Sequence, residues 1–180
     1  MSNQHTVRDA AESDLSAVLR IYAHHVAHSL ASFEEVPPSI EEMLARRGAI
    51  VSAGLPYLVA TRSGEIVGYA YAGRFHSRAA YRYTIENSIY VSHAFHGQGI
   101  GKALLGALIS RCEAGPWRQM IALIGDSNPV SIRLHESHGF RKVGILKSVG
   151  FKFGRWVDVA FMQRALGEGS TSNPIGAPGP

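Results

Sequence analysis

The stretch YVSHAFHGQGIGKALLGALI, residues 90–109, decides the fold. An apolar strand ending near Val91 runs into three glycines, Gly97, Gly99 and Gly101, and an apolar helix follows at once. Glycines two apart ahead of a helix let several backbone N–H groups point at one spot, and the helix start adds a partial positive charge. Such a spot takes an anion, a phosphate first of all. The mononucleotide P-loop G-x-x-x-x-G-K-[ST] does not fit, because it puts His96 at the first glycine and Ala103 at the metal-binding hydroxyl. The dinucleotide fingerprint G-x-G-x-x-G ends on Lys102 or Leu104 in its two registers. What remains is a shorter cradle, x-x-G-x-G-K, suited to a pyrophosphate held by backbone amides and one lysine.

The rest of the chain bounds what surrounds this cradle. With 180 residues and 46% hydrophobic content it is long enough for one domain, which buries roughly two-thirds of its unfolded surface. A run of about 18 apolar residues is missing and the N-terminus MSNQHTVRDA lacks a signal peptide's apolar core, so a soluble cytoplasmic protein away from membranes is expected. The single Cys112 excludes an intramolecular disulfide and reads as a small core side chain. The net charge is +4, but the basic residues are dispersed, which speaks against a nucleic-acid partner and for a small polyanionic ligand.

Periodicity then orders the elements. HTVRDA reads as a strand, and Ser13 and Asp14 open a helix with Leu15, Val18, Leu19, Tyr22 and Val26 on one face. Ser39 and Glu42 form a capping-box pattern for a second helix. YLVATRSGEIVGYAYAG is a hairpin about Ser63-Gly64, and YRYTIENSIYV is a central strand. The helix after the cradle stops near Gly115-Pro116. A strand RQMIALIG follows, then a helix with Asn128 as N-cap, Pro129 at its first position and Gly139 beyond its end, then two closing strands. This is a mixed α/β or α+β domain over residues 1–166. The tail 167–180, GEGSTSNPIGAPGP, is expected to be disordered.

The order of elements, the cradle between a long strand and a helix, and an Asn-started helix ending in Gly-Phe resemble the GNAT superfamily of N-acetyltransferases. Four stretches, YRYTIENSIYVS, HGQGIGKALL, NPVSIRLHESHGF and GFKFGRWVDVAFMQ, are similar to its phosphinothricin and methionine sulfoximine N-acetyltransferases, over residues 6 to 165. The resemblance implies a central mixed, mostly antiparallel sheet of about seven strands with about four helices, and acetyl-CoA as co-substrate. It also implies that amides from His96, Gly97, Gln98, Gly99, Ile100, Gly101 and Lys102 hold the CoA pyrophosphate. The strand edge at Ile89, Tyr90 and Val91 would pair with the pantetheine amides, and Asn128 would add a side-chain contact. His96 stands where the superfamily usually has Arg or Gln, so weaker or pH-dependent help with phosphate is expected there.

Acetyl transfer to an amine needs a deprotonated amine and a donor for the tetrahedral oxyanion. The period of two puts Glu86, Ser88 and Tyr90 on one strand face, with Glu86 about 13 Å from Tyr90 at roughly 3.3 Å per residue. A carboxylate in mid-strand needs solvent or a partner, either an arginine such as Arg82 or a substrate ammonium. The resemblance places the general base at Glu86. Asn128, Ser131 and His135 share one helical stripe. The resemblance gives His135 the acid's part toward the leaving thiolate, the alternative being a histidine packed beneath the cofactor. Tyr90 is either core packing or an active-site hydroxyl.

For the acceptor, RFHSRAAYRYT ahead of Glu86 supplies His76, Arg78 and Arg82, and Arg78 is the first choice to clamp an acid group, with Arg82 next. Phe33, between the first two helices, matches a family position lining the substrate pocket, or is a core plug. His24 and His28 stand at a zinc-capable spacing, but no third ligand stands out, so no metal is expected and the cluster reads as a solvated or dimer-facing edge in a homodimer. The acceptor is expected to be the α-amine of a small amino-acid analogue. The alternatives are a protein N-terminus or other amine on the same fold, or a non-catalytic acyl-CoA-binding module.

Overall fold

Ser63 and Gly64 both take positive φ, 50° and 82°, as a two-residue hairpin turn requires. They join β2 (Tyr57–Arg62) to β3 (Glu65–Arg74) in a computed structural model that describes residues 5–174. Around this hairpin lie β1 (Thr6–Asp9), β4 (Thr84–Val91), β5 (Gln119–Gly125), β6 (Arg141–Lys152) and β7 (Arg155–Ala165). The four α-helices of the described residues are α1 (Leu15–His28), α2 (Ile40–Ser52), α3 (Ile100–Glu113) and α4 (Pro129–Glu136). One seven-stranded sheet runs in the order β1-β2-β3-β4-β5-β7-β6, and every neighbouring pair is antiparallel except β4 with β5. The mixed sheet and its four helices match the architecture the sequence implied.

Local chemistry sets the helix ends. Ser39 Oγ accepts from the Glu42 amide at 3.2 Å, but the Glu42 carboxylate turns to Arg46, so only half of the capping box forms. Asn128 Oδ1 accepts from the amides of Val130 and Ser131, and Gly139 past the end of α4 has φ of 81°.

Each face of the sheet has its own core. Under α3, Leu104, Leu105 and Leu108 pack with Leu58, Ile85 and Met120, all at 1% exposure or less. Under α1 and α2 the core is aromatic: Tyr22, Tyr57, Tyr69 and Tyr90 pack with Val18 and Val59. Tyr57 stacks on Tyr71, and Tyr69 on Tyr90, with ring centroids 5.3 and 5.1 Å apart.

The feature that positions the site is the parallel pair. Its register covers only Thr84↔Gln119, Ile85↔Met120 and Glu86↔Ile121. Beyond Glu86 the two strands part, and the remaining five residues of β4 keep only β3 as a neighbour.

The sequence reading expects disorder from Gly167. Residues 167–174 instead make turns, with Gly169 N–H donating to Leu166 and Thr171 N–H to Glu168, and Arg118 reaches Ser172 and Asn173. The rest of that stretch, 175–180, lies outside the described residues. No helix among the described residues is long and apolar enough to cross a membrane.

Leu104 is fully buried between α3 and the sheet. Leu104→Ala should cost about 2–5 kcal/mol of stability, read as a lower midpoint in urea unfolding.

Candidate active site

The N–H groups at the start of α3 are open. Gly99 is the N-cap, held at φ of 81° with no side-chain cap, and Ala103 is the first amide to reach back to a carbonyl, that of Gly99. The amides of Ile100, Gly101 and Lys102 are therefore the unpaired first turn of a fourteen-residue helix. Ile100 anchors this turn in the core, while Lys102 is exposed beside it. The Gln98 side chain bonds to Arg62 and to the Ala94 carbonyl, which closes the loop below the glycines.

At the end of β4, the Val91 carbonyl accepts from two histidines, His25 Nε2 at 2.9 Å and His96 Nε2 at 3.1 Å. His96 thus spends one ring nitrogen on the strand. The Ser92 amide donates to Val67 on β3, so the alternate backbone groups, at Val91 and Ile89, face the opened side where β5 has left. With the Val91 carbonyl taken by the histidines, Ile89 offers the free N–H and C=O of that edge.

Glu86 sits on the last rung of the parallel pair, opposite Gly73 on β3 and Ile121 on β5. Its side chain lies on the tyrosine-lined face, and burial alone raises its pKa above the usual glutamate range. Arg82 does not pair with it: Arg82 Nε donates to the Ala79 carbonyl at 2.7 Å. Among the described residues no cation stands within ion-pair distance of Glu86.

The other expected residues fall into distinct places. Tyr90 is in the aromatic core against Tyr22, Tyr69 and His25, with burial holding its phenol well above the usual range. That packing is what the core alternative requires. The acceptor oxygen of Asn128 is occupied by the α4 cap, leaving its NH2 group for any ligand. His135 is 6% exposed; its Nδ1 donates to the Ser131 carbonyl at 2.8 Å and its Nε2 faces Asn87 Oδ1 at 3.0 Å. Burial lowers the His135 pKa, with the Ser131 carbonyl pulling the other way. Both ring nitrogens of His135 therefore face protein partners.

Arg78 and Arg82 lie on the exposed approach to β4, and His76 packs its ring against Phe75 and Tyr81 there. Phe33 is far from them in sequence and lies flat on β6, so close that a Cβ at Gly150 would stand 2.1 Å from its ring. The loop carrying Phe33 is tied down by Lys152, which sequence reasoning missed. Lys152 is 3% exposed and donates to the carbonyls of Ser29 at 3.1 Å and Ser32 at 2.7 Å. Burial lowers its pKa, against the pull of Glu35 and Glu34. A cavity of about 310 Å³ opens behind this loop, lined by Tyr22, Met43, Arg46, Tyr57, Tyr69 and Tyr71. His24 stacks on His93 at 4.4 Å and lies 4.8 Å from His28. No three His, Cys, Asp or Glu side chains among the described residues are grouped to share a metal ion.

Comparison with known proteins agrees with this geometry. The family model for the acetyltransferase (GNAT) domain matches residues 7–161. The chain is 55% identical to phosphinothricin N-acetyltransferase of Alcaligenes faecalis, over 94% of this chain and 86% of that one. It is 39% identical to the L-methionine sulfoximine/L-methionine sulfone acetyltransferase of Salmonella typhimurium, over 91% and 95%. A phosphinothricin acetyltransferase of Sinorhizobium meliloti, solved in complex with acetyl-CoA, superposes with a TM-score of 0.94 at 48% identity, over 98% of this chain and 96% of that one. The chain belongs to the GNAT acetyltransferase family and is an N-acetyltransferase.

Gly101 tests the cradle without straining the backbone, since its φ is ordinary and an added Cβ meets only Leu134 at 3.3 Å and Val91 at 3.7 Å. Gly101→Asp should abolish CoA binding in calorimetry while Gly101→Ala only weakens it, because the carboxylate sets a negative charge among the open amides.

Proposed function

We propose that this chain transfers the acetyl group of acetyl-CoA to the α-amine of a small amino-acid analogue of the phosphinothricin, methionine sulfoximine or methionine sulfone type. The observation that carries the reading is the single opened edge of β4. It has the anion cradle of α3 beyond one end and the unpaired Glu86 carboxylate at the other. Pyrophosphate on the Ile100–Lys102 amides and a pantetheine amide on Ile89 would bring a thioester toward Glu86. The relatives named for those three acceptors support the acceptor class.

Each side chain then has a physical task. The acceptor ammonium gives Glu86 the counter-charge that none of the described residues supplies. Glu86 takes one amine proton, directly or through water, and the freed nitrogen pair bonds to the thioester carbon. The nitrogen gives up its second surplus proton to solvent as the carbon–sulfur bond breaks, the thiolate leaves and is protonated from solvent, and Glu86 then releases the proton it took. Transfer is direct, because Cys112 is fully buried on the core face of α3 and burial pushes its thiol up to about 12. Phe33, held by Lys152, would wall the acceptor side, and Arg78, with Arg82 and His76 beside it, would meet the acceptor's acid group from the exposed approach.

A second copy of the chain is the partner we propose for the sheet's outer edge. Strand β6 is an edge strand of twelve residues, and Val143, Leu146, Val149 and Phe151 on it, with Phe153 and Trp156 beyond, are all exposed. A long apolar edge invites pairing unless it is covered.

Two measurements test the activity. Thiol release from acetyl-CoA should be seen with phosphinothricin, methionine sulfoximine or methionine sulfone and exceed that with free proteinogenic amino acids or N-terminal peptides; preference for the peptides would instead favour a protein acceptor. Because the Glu86 pKa is raised, the base is lost to protonation at a higher pH than an ordinary glutamate, so kcat should rise with pH through a value above about 4.3. Glu86→Gln should remove that limb and lower kcat roughly 100-fold or more with CoA affinity kept. Arg78→Lys should raise the acceptor KM and leave the acetyl-CoA KM nearly untouched, since a lysine has no two-pronged contact to offer.

A further inference from the structure

Asn87 follows Glu86 on β4 and turns to the opposite face of the sheet, where it is 6% exposed. Its side chain joins three elements. Nδ2 donates to the Ile121 carbonyl of β5 at 3.1 Å, on the last rung before the strands part, and Oδ1 lies 3.0 Å from Nε2 of His135 on α4. His135 is fixed in turn by the Ser131 carbonyl and by the edge of the Phe140 ring, whose centroid is 5.0 Å away at 85°.

We propose that Asn87 and His135 form a positioning pair that holds the vertex of the gap between β4 and β5, so that His135 acts on the reaction through Asn87 and not as a proton donor to the thiolate.

The hydrogen-bond chain carries the argument. A carbonyl only accepts, so the Ser131 carbonyl takes a hydrogen from His135 Nδ1 and the Ile121 carbonyl takes one from the Asn87 amide. The other ring nitrogen, Nε2, faces the far end of the same Asn87 amide, so both ring nitrogens are committed to protein partners in a place closed to water. A ring that turned toward a leaving thiolate would break both contacts and strand the Ser131 carbonyl and the Asn87 amide. A positioning pair has the opposite requirement, that all three contacts persist. The parallel pair has only three rungs, so the extra bond to Ile121 is a large share of what fixes the point where the edge of β4 opens and Glu86 begins.

The kinetic test rests on the transferase reading; a binding test does not. Asn87→Asp keeps the shape but has no hydrogen for Ile121, so it should lower kcat roughly tenfold or more, as should Asn87→Ala and His135→Ala. The double alanine variant should be no worse than either single one, since the two residues act as one unit. His135→Gln, whose amide can still donate to Asn87, should recover most of what His135→Ala loses, and the pH profile of kcat should keep its shape. The pair is overturned if His135→Gln is as impaired as His135→Ala with the alkaline side of the profile altered. It is equally overturned if Asn87→Asp keeps kcat within about threefold. Calorimetry with acetyl-CoA gives the second readout: both Asn87 variants should bind roughly fivefold or more weakly, and unchanged affinity in both counts against the pair. Weakened binding together with a wild-type protein that acetylates no acceptor would sink the transferase reading and leave the vertex standing.

Discussion

Everything at the site depends on β4 and β5 separating after three rungs in the middle of a seven-stranded sheet. Opening a sheet exposes backbone groups that elsewhere are paired, and a buried one without a partner is costly. The chain closes two of them locally. His25 and His96 cover the Val91 carbonyl, and Asn87 covers that of Ile121. What stays open is short, and it lies in line with the amides that start α3. An extended ligand with amide groups along its length and an anionic end fits such an edge as an added strand would.

The same separation decides the electrostatics of Glu86. Its carboxylate faces tyrosines, not arginines: Tyr71 and Tyr90 are both pushed above the ordinary phenol range by burial, so they stay neutral beside it. A base needs a raised pKa without a permanent cation, because an arginine partner would stabilise the carboxylate and weaken it as a proton acceptor. Nearby cations are occupied elsewhere, Arg46 by Glu34 and Glu42 and Lys152 by two carbonyls. The site thus keeps negative charge available for an ammonium that arrives with the substrate.

What could be read from the sequence was what short-range chemistry dictates. The glycine cradle, the hairpin at Ser63-Gly64 and the caps at Ser39 and Asn128 each rest on residues within a few positions of one another. Strand alternation put Glu86, Ser88 and Tyr90 on one face, and that face is the tyrosine-lined one. It did not say that Tyr90 would be enclosed by Tyr22 of α1 and Tyr69 of β3, which only the packing of α1 on the sheet decides. Asn87 gave no signal either, for a polar residue in a strand is unremarkable until β5 and α4 are brought beside it. The Gly/Pro/Ser composition after Gly167 pointed to disorder, but Arg118, some fifty positions earlier, supplies hydrogen bonds that composition does not register.

On the proposed reading, Lys152 bears on acceptor choice. The donor side of the groove would be made by contiguous residues, 89–102, whose geometry follows from glycine and helix physics. The acceptor side would be a loop, residues 29–36, whose position is set from the far strands: Lys152 grips its carbonyls, Gly150 makes room for the Phe33 ring, and a Cβ at Gly125 would stand 2.0 Å from the Leu30 carbonyl oxygen. A buried ammonium that holds two carbonyls and lies over the Phe153 ring is an expensive anchor. It is also a rigid one, because any movement of the loop strands the charge. Changes on β6 or at the end of β5 therefore shift Phe33 without touching the loop itself. On that reading, chains that share the cradle can differ in acceptor through positions some ninety residues or more from the loop in sequence, and neither the cradle motif nor the loop's own residues would reveal it.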